Sequence, residues 1–385
     1  MNSLFETQKH ETQRFIKNRV LTSFAFWRSI EYALPVLFFY FEYFLLSKSS
    51  NRGPQRKIML VGKVSDVIGK TPLIKIKSLS DFTGCNIFGK AEFLNPGGSV
   101  KDRTALGIIN DAEKSGLLNP GFTIVEGTAG NTGIGLAAIA AQRGYPCLIV
   151  MPNNQSQEKY DTLKALGVEL ITVAPCPFAN ENHFYHTAKR LASERPKTFW
   201  ANQFENLSNF KIHYESTGPE IWEQLDGNLD AFITSAGTGG TLAGVSKFLK
   251  EKNTNVFIQL VDPEGSGLFS FIKNGKIEST GSSITEGIGI MRLTANFKEA
   301  KVDDAVQVKD QDMISMLYHL AKHDGLLVGT SAALNVFAAF QYALQFKKTG
   351  KNIVTVLCDS AQRYQSKIFN PIFLAEKKLV PKPIF

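Results

Sequence analysis

Three short stretches carry residue types that could do chemistry together. The first is Asn95-Pro96-Gly97-Gly98-Ser99-Val100-Lys101-Asp102-Arg103. Asn-Pro-Gly-Gly continues neither a strand nor a helix, so it reads as a loop. The run 104–114, with apolar Ala105, Leu106, Ile108, Ile109 and Ala112, reads as a helix. Ser99 is the expected N-cap, which puts Lys101 in the first turn, at the positive end of the helix dipole. A cation there is disfavoured by several tenths to ~1 kcal/mol, which pushes the ammonium toward the neutral amine. A neutral amine is what Schiff-base chemistry needs. The competing reading is a solvated surface lysine; the unfavourable placement and the neighbouring glycines weigh against it.

The second stretch is Glu126-Gly127-Thr128-Ala129-Gly130-Asn131-Thr132-Gly133-Ile134-Gly135, between a strand at 123–126 and a helix-favouring run at 136–142. The third is Ser235-Ala236-Gly237-Thr238-Gly239-Gly240-Thr241, between a strand at 231–235 and a helix reaching Leu249. Strand, glycine loop, helix is the layout that holds an anion on backbone N–H groups. In the second loop Thr128, Asn131 and Thr132 add donors suited to a substrate carboxylate. In the third, Gly237, Thr238, Gly239, Gly240 and Thr241 form a nest suited to a phosphate dianion. A loop that merely needs positive φ is the plain alternative. No Lys-Ser or Lys-Thr pair follows, so the third loop is not a Walker loop, and its spacing is not that of a dinucleotide fold.

These loops need rigid elements to aim them. Short apolar runs at 147–151, 168–173, 231–235, 256–261 and 353–358 alternate with helical patterns. Runs without strict alternation suit parallel strands buried on both faces, in a doubly wound α/β architecture. The 385 residues are enough for two or three domains, and 43% hydrophobic content excludes a disordered chain. The net charge of +8 is uneven: residues 1–57 hold nine Lys/Arg against four Glu, a net of +5. The remaining +3 forms no basic run with interleaved aromatics, so nucleic acid is not an expected partner. Cys85, Cys147, Cys176 and Cys358 make no ligand pattern, so no metal is expected, and the thiols read as reduced.

Residues 1–57 read as an extension, with a candidate membrane anchor at 24–46 that includes Phe24, Trp27, Tyr32, Phe38, Phe39, Tyr40 and Phe41. Its cleanest part, 32–46, is shorter than the ~20 residues of a spanning helix, and Arg28, Glu31 and Glu42 need places near head groups. An amphipathic helix docked on the chain's own core is the alternative. The polar stretch 47–57 reads as a linker.

The stretches around Lys101, 126–135 and 235–241 resemble those of the cysteine synthase and cystathionine β-synthase family. So do Ile68-Gly69-Lys70-Thr71-Pro72-Leu73, Met151-Pro152 with Ser156 and Glu158, Gln203, Leu327-Val328-Gly329-Thr330-Ser331-Ala332-Ala333 and Asp359-Ser360-Ala361-Gln362-Arg363-Tyr364. The resemblance covers roughly 61–369. It implies the tryptophan synthase β-like architecture, pyridoxal phosphate fold type II: an α/β domain at 58–206 and a second at 207–375, preceded by the N-terminal hydrophobic helix. It makes Lys101 the residue that carries pyridoxal 5'-phosphate and then acts as base at Cα. Residues 237–241 hold the phosphate, Asn131 meets the phenolic oxygen and Ser331 the pyridine nitrogen. Thr128, Ala129, Thr132 and Gln203 hold the substrate α-carboxylate. The implied reaction is β-replacement of the acetate of O-acetylserine by sulfide, in a homodimer. Cystathionine synthesis or serine/threonine deamination are alternatives. Ala129, Leu207, Ala333 and Ala361 depart from the family's usual serine, proline, glycine and glycine, which leaves room for a catalytically weak, membrane-tethered protein of the same fold. The run 286–300, with Met291-Arg292-Leu293-Thr294-Ala295-Asn296-Phe297, looks like membrane-associated fungal mitochondrial cysteine synthases, which implies the outer mitochondrial membrane; a cytoplasmic location is the alternative.

Overall fold

The computed structural model describes residues 60–385. The candidate anchor at 24–46, and with it the expected N-terminal hydrophobic helix, lies outside the described residues. Among the described residues no helix is long and apolar enough to cross a membrane.

Among the described residues ten strands form two sheets. β3 (Thr123–Gly127), β4 (Cys147–Pro152), β5 (Glu169–Val173) and β6 (Thr198–Trp200) make a parallel sheet in the order β5-β4-β3-β6. β1 (Leu73–Lys75), β2 (Asn86–Lys90), β7 (Ala231–Ser235), β8 (Phe257–Pro263), β9 (Asp304–Val308) and β10 (Asn352–Val356) make the other, in the order β1-β2-β10-β7-β8-β9. Only the β1–β2 pair is antiparallel in that sheet. β1 and β2 come early in the chain, yet they pair with strands contributed after residue 230.

The apolar runs that became β4, β7, β8 and β10 are strands with both faces covered, whereas β5, at the edge of its sheet, is half-exposed. On β4, Cys147, Ile149 and Met151 pack into one core while Leu148 and Val150 pack into another. On β7, Ala231 and Ile233 face the helix Thr330–Leu344, and Phe232 faces the helix Gly240–Lys252. Side chains that alternate between two apolar layers erase the polar half of the pattern.

Element boundaries shift where loops join helices. The helix expected at 136–142 runs Asn131–Arg143, so Asn131 and Thr132 lie in its first turn. The helix expected from 104 starts at Lys101, with Val100 rather than Ser99 as N-cap; the Ser99 hydroxyl instead accepts from the Lys101 N–H at 3.2 Å. Val328 makes a single bridge to Ser360, and Gly329 is the N-cap of the helix Thr330–Leu344 that follows.

In each sheet the chain reverses its direction of growth beside one strand: between β3 and β6, and between β7 and β10. At such points the loops leaving the carboxyl ends part and leave a crevice. The loops leaving β3, β6, β7 and β10 carry residues 128–132, 203, 237–241 and 358–363.

Candidate active site

Those loops border one cavity of about 390 Å³. Lys101, Thr128, Ala129, Asn131, Thr132 and Gln203 line it from one side; Gly237, Thr238, Gly239, Thr241 and Ser331 line it from the other. Gly240 does not line it. Its Cα presses on the next layer, where an added Cβ would come 2.3 Å from Asn209 Oδ1.

The Lys101 amine lies 3.4 Å from the Thr238 hydroxyl. Burial lowers its pKa to about 8, against weaker opposite pulls from Cys358 and Glu126. Desolvation therefore does most of the work that the helix dipole alone was expected to do. The start of this helix is held from below by Arg103, which donates to Glu92 through Nε at 2.8 Å and to Glu220 through Nη1 at 2.7 Å. Lys90 also donates to Glu220, at 2.7 Å.

The glycines of the two loops have different duties. Gly239 has φ +86, and an added Cβ would fall 2.6 Å from the Phe297 Cα; at Gly237 it would fall 2.3 Å from the Gly287 carbonyl. Gly130 has φ +128 and packs on the stem of Lys159. The loop geometry does require positive φ at two positions, as the plain alternative held. The loop also does more. The N–H groups of Gly237, Thr238, Gly239 and Thr241 have no acceptor among the described residues, and Gly240 N–H reaches only the Thr238 hydroxyl, at 3.4 Å. The Thr241 hydroxyl sits 3.2 Å from His213 Nε2. His213 is fully buried, and burial, reinforced by Arg103 and Lys101, holds its pKa well below the usual value, so it stays neutral.

Across the cavity, Thr132 donates to the Gln203 side-chain oxygen at 2.6 Å, and the Gln203 amide donates to the Gly127 carbonyl at 3.3 Å. The Thr128 hydroxyl accepts from the Gly130 N–H at 3.1 Å. Asn131 faces the cavity, but its amide donates to Asp359 at 2.7 Å and its oxygen accepts from Arg363. These contacts use one of its two N–H groups and one of its two oxygen lone pairs, so a donor and an acceptor position stay open toward a ligand. Of the departures from the family pattern, Ala129 lines the cavity, whereas Ala333 and Ala361 are fully packed and Leu207 is exposed.

Residues 64–359 match the family model described as pyridoxal-phosphate dependent enzyme. The chain belongs to that family. A cysteine synthase 1 of Neurospora crassa is 48% identical over 322 residues, covering 82% of this chain and 85% of its own. A cysteine synthase 1 of Emericella nidulans is 48% identical over 330 residues, covering 84% and 89%. An O-acetylserine dependent cystathionine β-synthase from Helicobacter pylori has a crystal structure that superposes with a TM-score of 0.73 at 34% identity, over 80% of this chain and 99% of that one. The architecture of this pyridoxal-phosphate enzyme is fold type II, and its cofactor is pyridoxal 5'-phosphate.

The cavity fits that group. It offers a desolvated amine for an aldehyde carbon and a row of unpartnered N–H groups for a phosphate. It also offers a buried Ser235 hydroxyl that lacks a partner among the described residues. Around the lining residues Lys159 and Glu286 the structure makes pairings that the sequence did not suggest. Lys159 and Lys367 both donate to Glu286, and Ser156 holds the same carboxylate. Asp359 accepts from Tyr364 at 2.6 Å, and Arg363 donates to the Gly97 carbonyl. The partners lie from five to more than 250 residues apart in the chain, so only the motif at 359–364 hinted at them.

Proposed function

We infer that this chain is a cysteine synthase: a pyridoxal-phosphate-dependent transferase that makes L-cysteine and acetate from O-acetyl-L-serine and sulfide. The observation that carries this is the desolvated Lys101 amine between two strand–glycine loop–helix junctions, in a chain 48% identical to curated cysteine synthases.

Lys101 would hold the cofactor aldehyde, residues 237–241 the phosphate, Ser331 the pyridine nitrogen and Asn131 the phenolic oxygen. When bound, the cofactor supplies an electron sink for the charge that develops at Cα. Thr128, Thr132, Gln203 and the Ala129 backbone orient the substrate α-carboxylate, which fixes the Cα–H bond relative to Lys101. The released Lys101 amine removes the Cα proton, and acetate leaves Cβ with the C–O electron pair. Sulfide then forms the C–S bond at Cβ, and Lys101 returns its proton to Cα. A neutral serine at the ring nitrogen, in place of a carboxylate, limits charge build-up at Cα and suits β-elimination.

The test is product analysis of purified protein with O-acetylserine plus sulfide against serine plus homocysteine and serine alone. Cysteine as the main product is expected. Cystathionine or pyruvate as the faster product would replace this reading with one of the other two, and absence of turnover would favour a tethered, inactive protein. We further propose that the functional unit is a homodimer and that residues 24–46 tether it to the outer mitochondrial membrane. The aromatic content and basic flanks of that run support the tether.

A further inference from the structure

Beyond the residues that face Lys101, the cavity rim holds a second constellation. Arg292 lines the cavity with Phe178, Tyr185 and Phe204. Its guanidinium carbon lies 4.3, 5.0 and 5.1 Å from the three ring centroids. Its Nη1 donates to Glu205. Its side chain keeps 18% of its exposure, so this is the rim and not the floor.

Three rings and a carboxylate around one cation form the cage that receives organic ammonium groups. Here the cation belongs to the protein itself. The walls come from separate segments: Phe178 follows β5, Tyr185 opens the helix Phe184–Glu194, and Phe204 and Glu205 follow Gln203. Arg292 reaches in from the stretch after the glycine turn at 285–289. Glu205 is held independently of it, because the Ala295 N–H donates to the same carboxylate at 2.8 Å. Removing Arg292 would therefore leave a standing cage with a fixed negative charge.

We propose that Arg292 sets the choice of the incoming nucleophile. By occupying the cage it leaves passage for sulfide and denies an aminothiol the place where its ammonium group would dock. The proposal rests on the cysteine synthase reading. With the cage vacated, L-homocysteine enters the same reaction: its thiolate sulfur forms the bond to Cβ, the C–O bond breaks, and acetate leaves with the electron pair to give cystathionine.

The experiment compares kcat/KM for L-homocysteine and for sulfide, each with O-acetylserine, in the wild-type holoenzyme and in Arg292→Ala. The homocysteine-to-sulfide ratio should rise at least tenfold in Arg292→Ala and stay within about threefold of wild type in Arg292→Lys, which refills the cage with a cation. Phe178→Ala removes one wall and keeps the Arg292–Glu205 pair, so it should not reproduce the gain. An unchanged ratio in Arg292→Ala overturns the proposal, and so does an equal gain in Phe178→Ala, which would mean general loosening of the rim. If Arg292→Ala does not fold, Arg292→Gln takes its place with an expected rise of at least threefold, and a flat ratio there overturns it too. Failure of the wild-type enzyme to make cysteine from O-acetylserine and sulfide would overturn the underlying reading; a flat ratio in a wild-type enzyme that does make it overturns the gate alone.

Discussion

At the level of single residues, the chemistry turns on one amine and a few hydroxyls. With a pKa of about 8, Lys101 is largely charged at neutral pH and loses its proton as pH rises. The rate at which apo-protein captures pyridoxal phosphate should climb between pH 6 and 9 and level off above about 9, rather than climb toward the ordinary lysine value of 10.5. Stopped-flow absorbance against pH measures this, and a profile still rising at pH 10 would refute it. Lys101→Ala should abolish the visible absorbance of the lysine-bound cofactor and cysteine formation while leaving far-UV circular dichroism intact; retained absorbance would refute the assignment. For the phosphate nest, Gly239→Val is a poor probe, because the new side chain would strike Phe297 and strain a positive φ. Thr241→Val keeps the shape and removes one donor. It should weaken cofactor retention by ~1 kcal/mol, about fivefold on dialysis; equal retention would remove Thr241 from the phosphate site.

Among the elements, the first turn of the helix Lys101–Lys114 is anchored by charge. Arg103 is 1% exposed and Glu92 fully buried, and the pair shares its environment with Glu220 and Lys90. Replacing Glu92 by Ala leaves a buried guanidinium half-compensated and should cost ~3–5 kcal/mol in urea unfolding. A loss below ~1 kcal/mol would mean that Glu220 alone suffices. The same network carries an acid limit. Burial raises the Glu220 pKa, but Arg103 and Lys90 outweigh it and hold the carboxyl at about 2, below its usual 4.5. A carboxylate depressed in the folded state contributes stability above its unfolded pKa and loses it as pH falls. Stability should therefore decline from about pH 4.5 toward 2, and Glu220→Gln should flatten that decline; an unchanged slope would exclude Glu220 as its source.

For the whole molecule, the described core begins at residue 60, and family motifs begin at Gly69. Removing residues 1–57 should leave cofactor binding and the thermal midpoint unchanged within about 2 °C, and should move the protein from the carbonate-washed membrane pellet to the supernatant. Unfolding on truncation, or a full-length protein found in the supernatant, would end the tether proposal. Much of the core was legible in the chain. Parallel strands announce themselves as apolar runs because two-sided burial demands it, and the loops at 126–135 and 235–241 stand out because few residues other than glycine tolerate their turns. Lys101 stood out by its place beside Gly97 and Gly98. What stayed illegible was everything that depends on long-range approach. Nothing local in β1 or β2 says that they join strands from after residue 230. Nothing local in Arg292 says that its guanidinium rests among Phe178, Tyr185 and Phe204, or in Glu286 that two lysines meet on it. Local sequence determines backbone periodicity and turn chemistry. Which charges meet, and how far a lysine is stripped of water, depends on sheets that close only when the whole chain has folded.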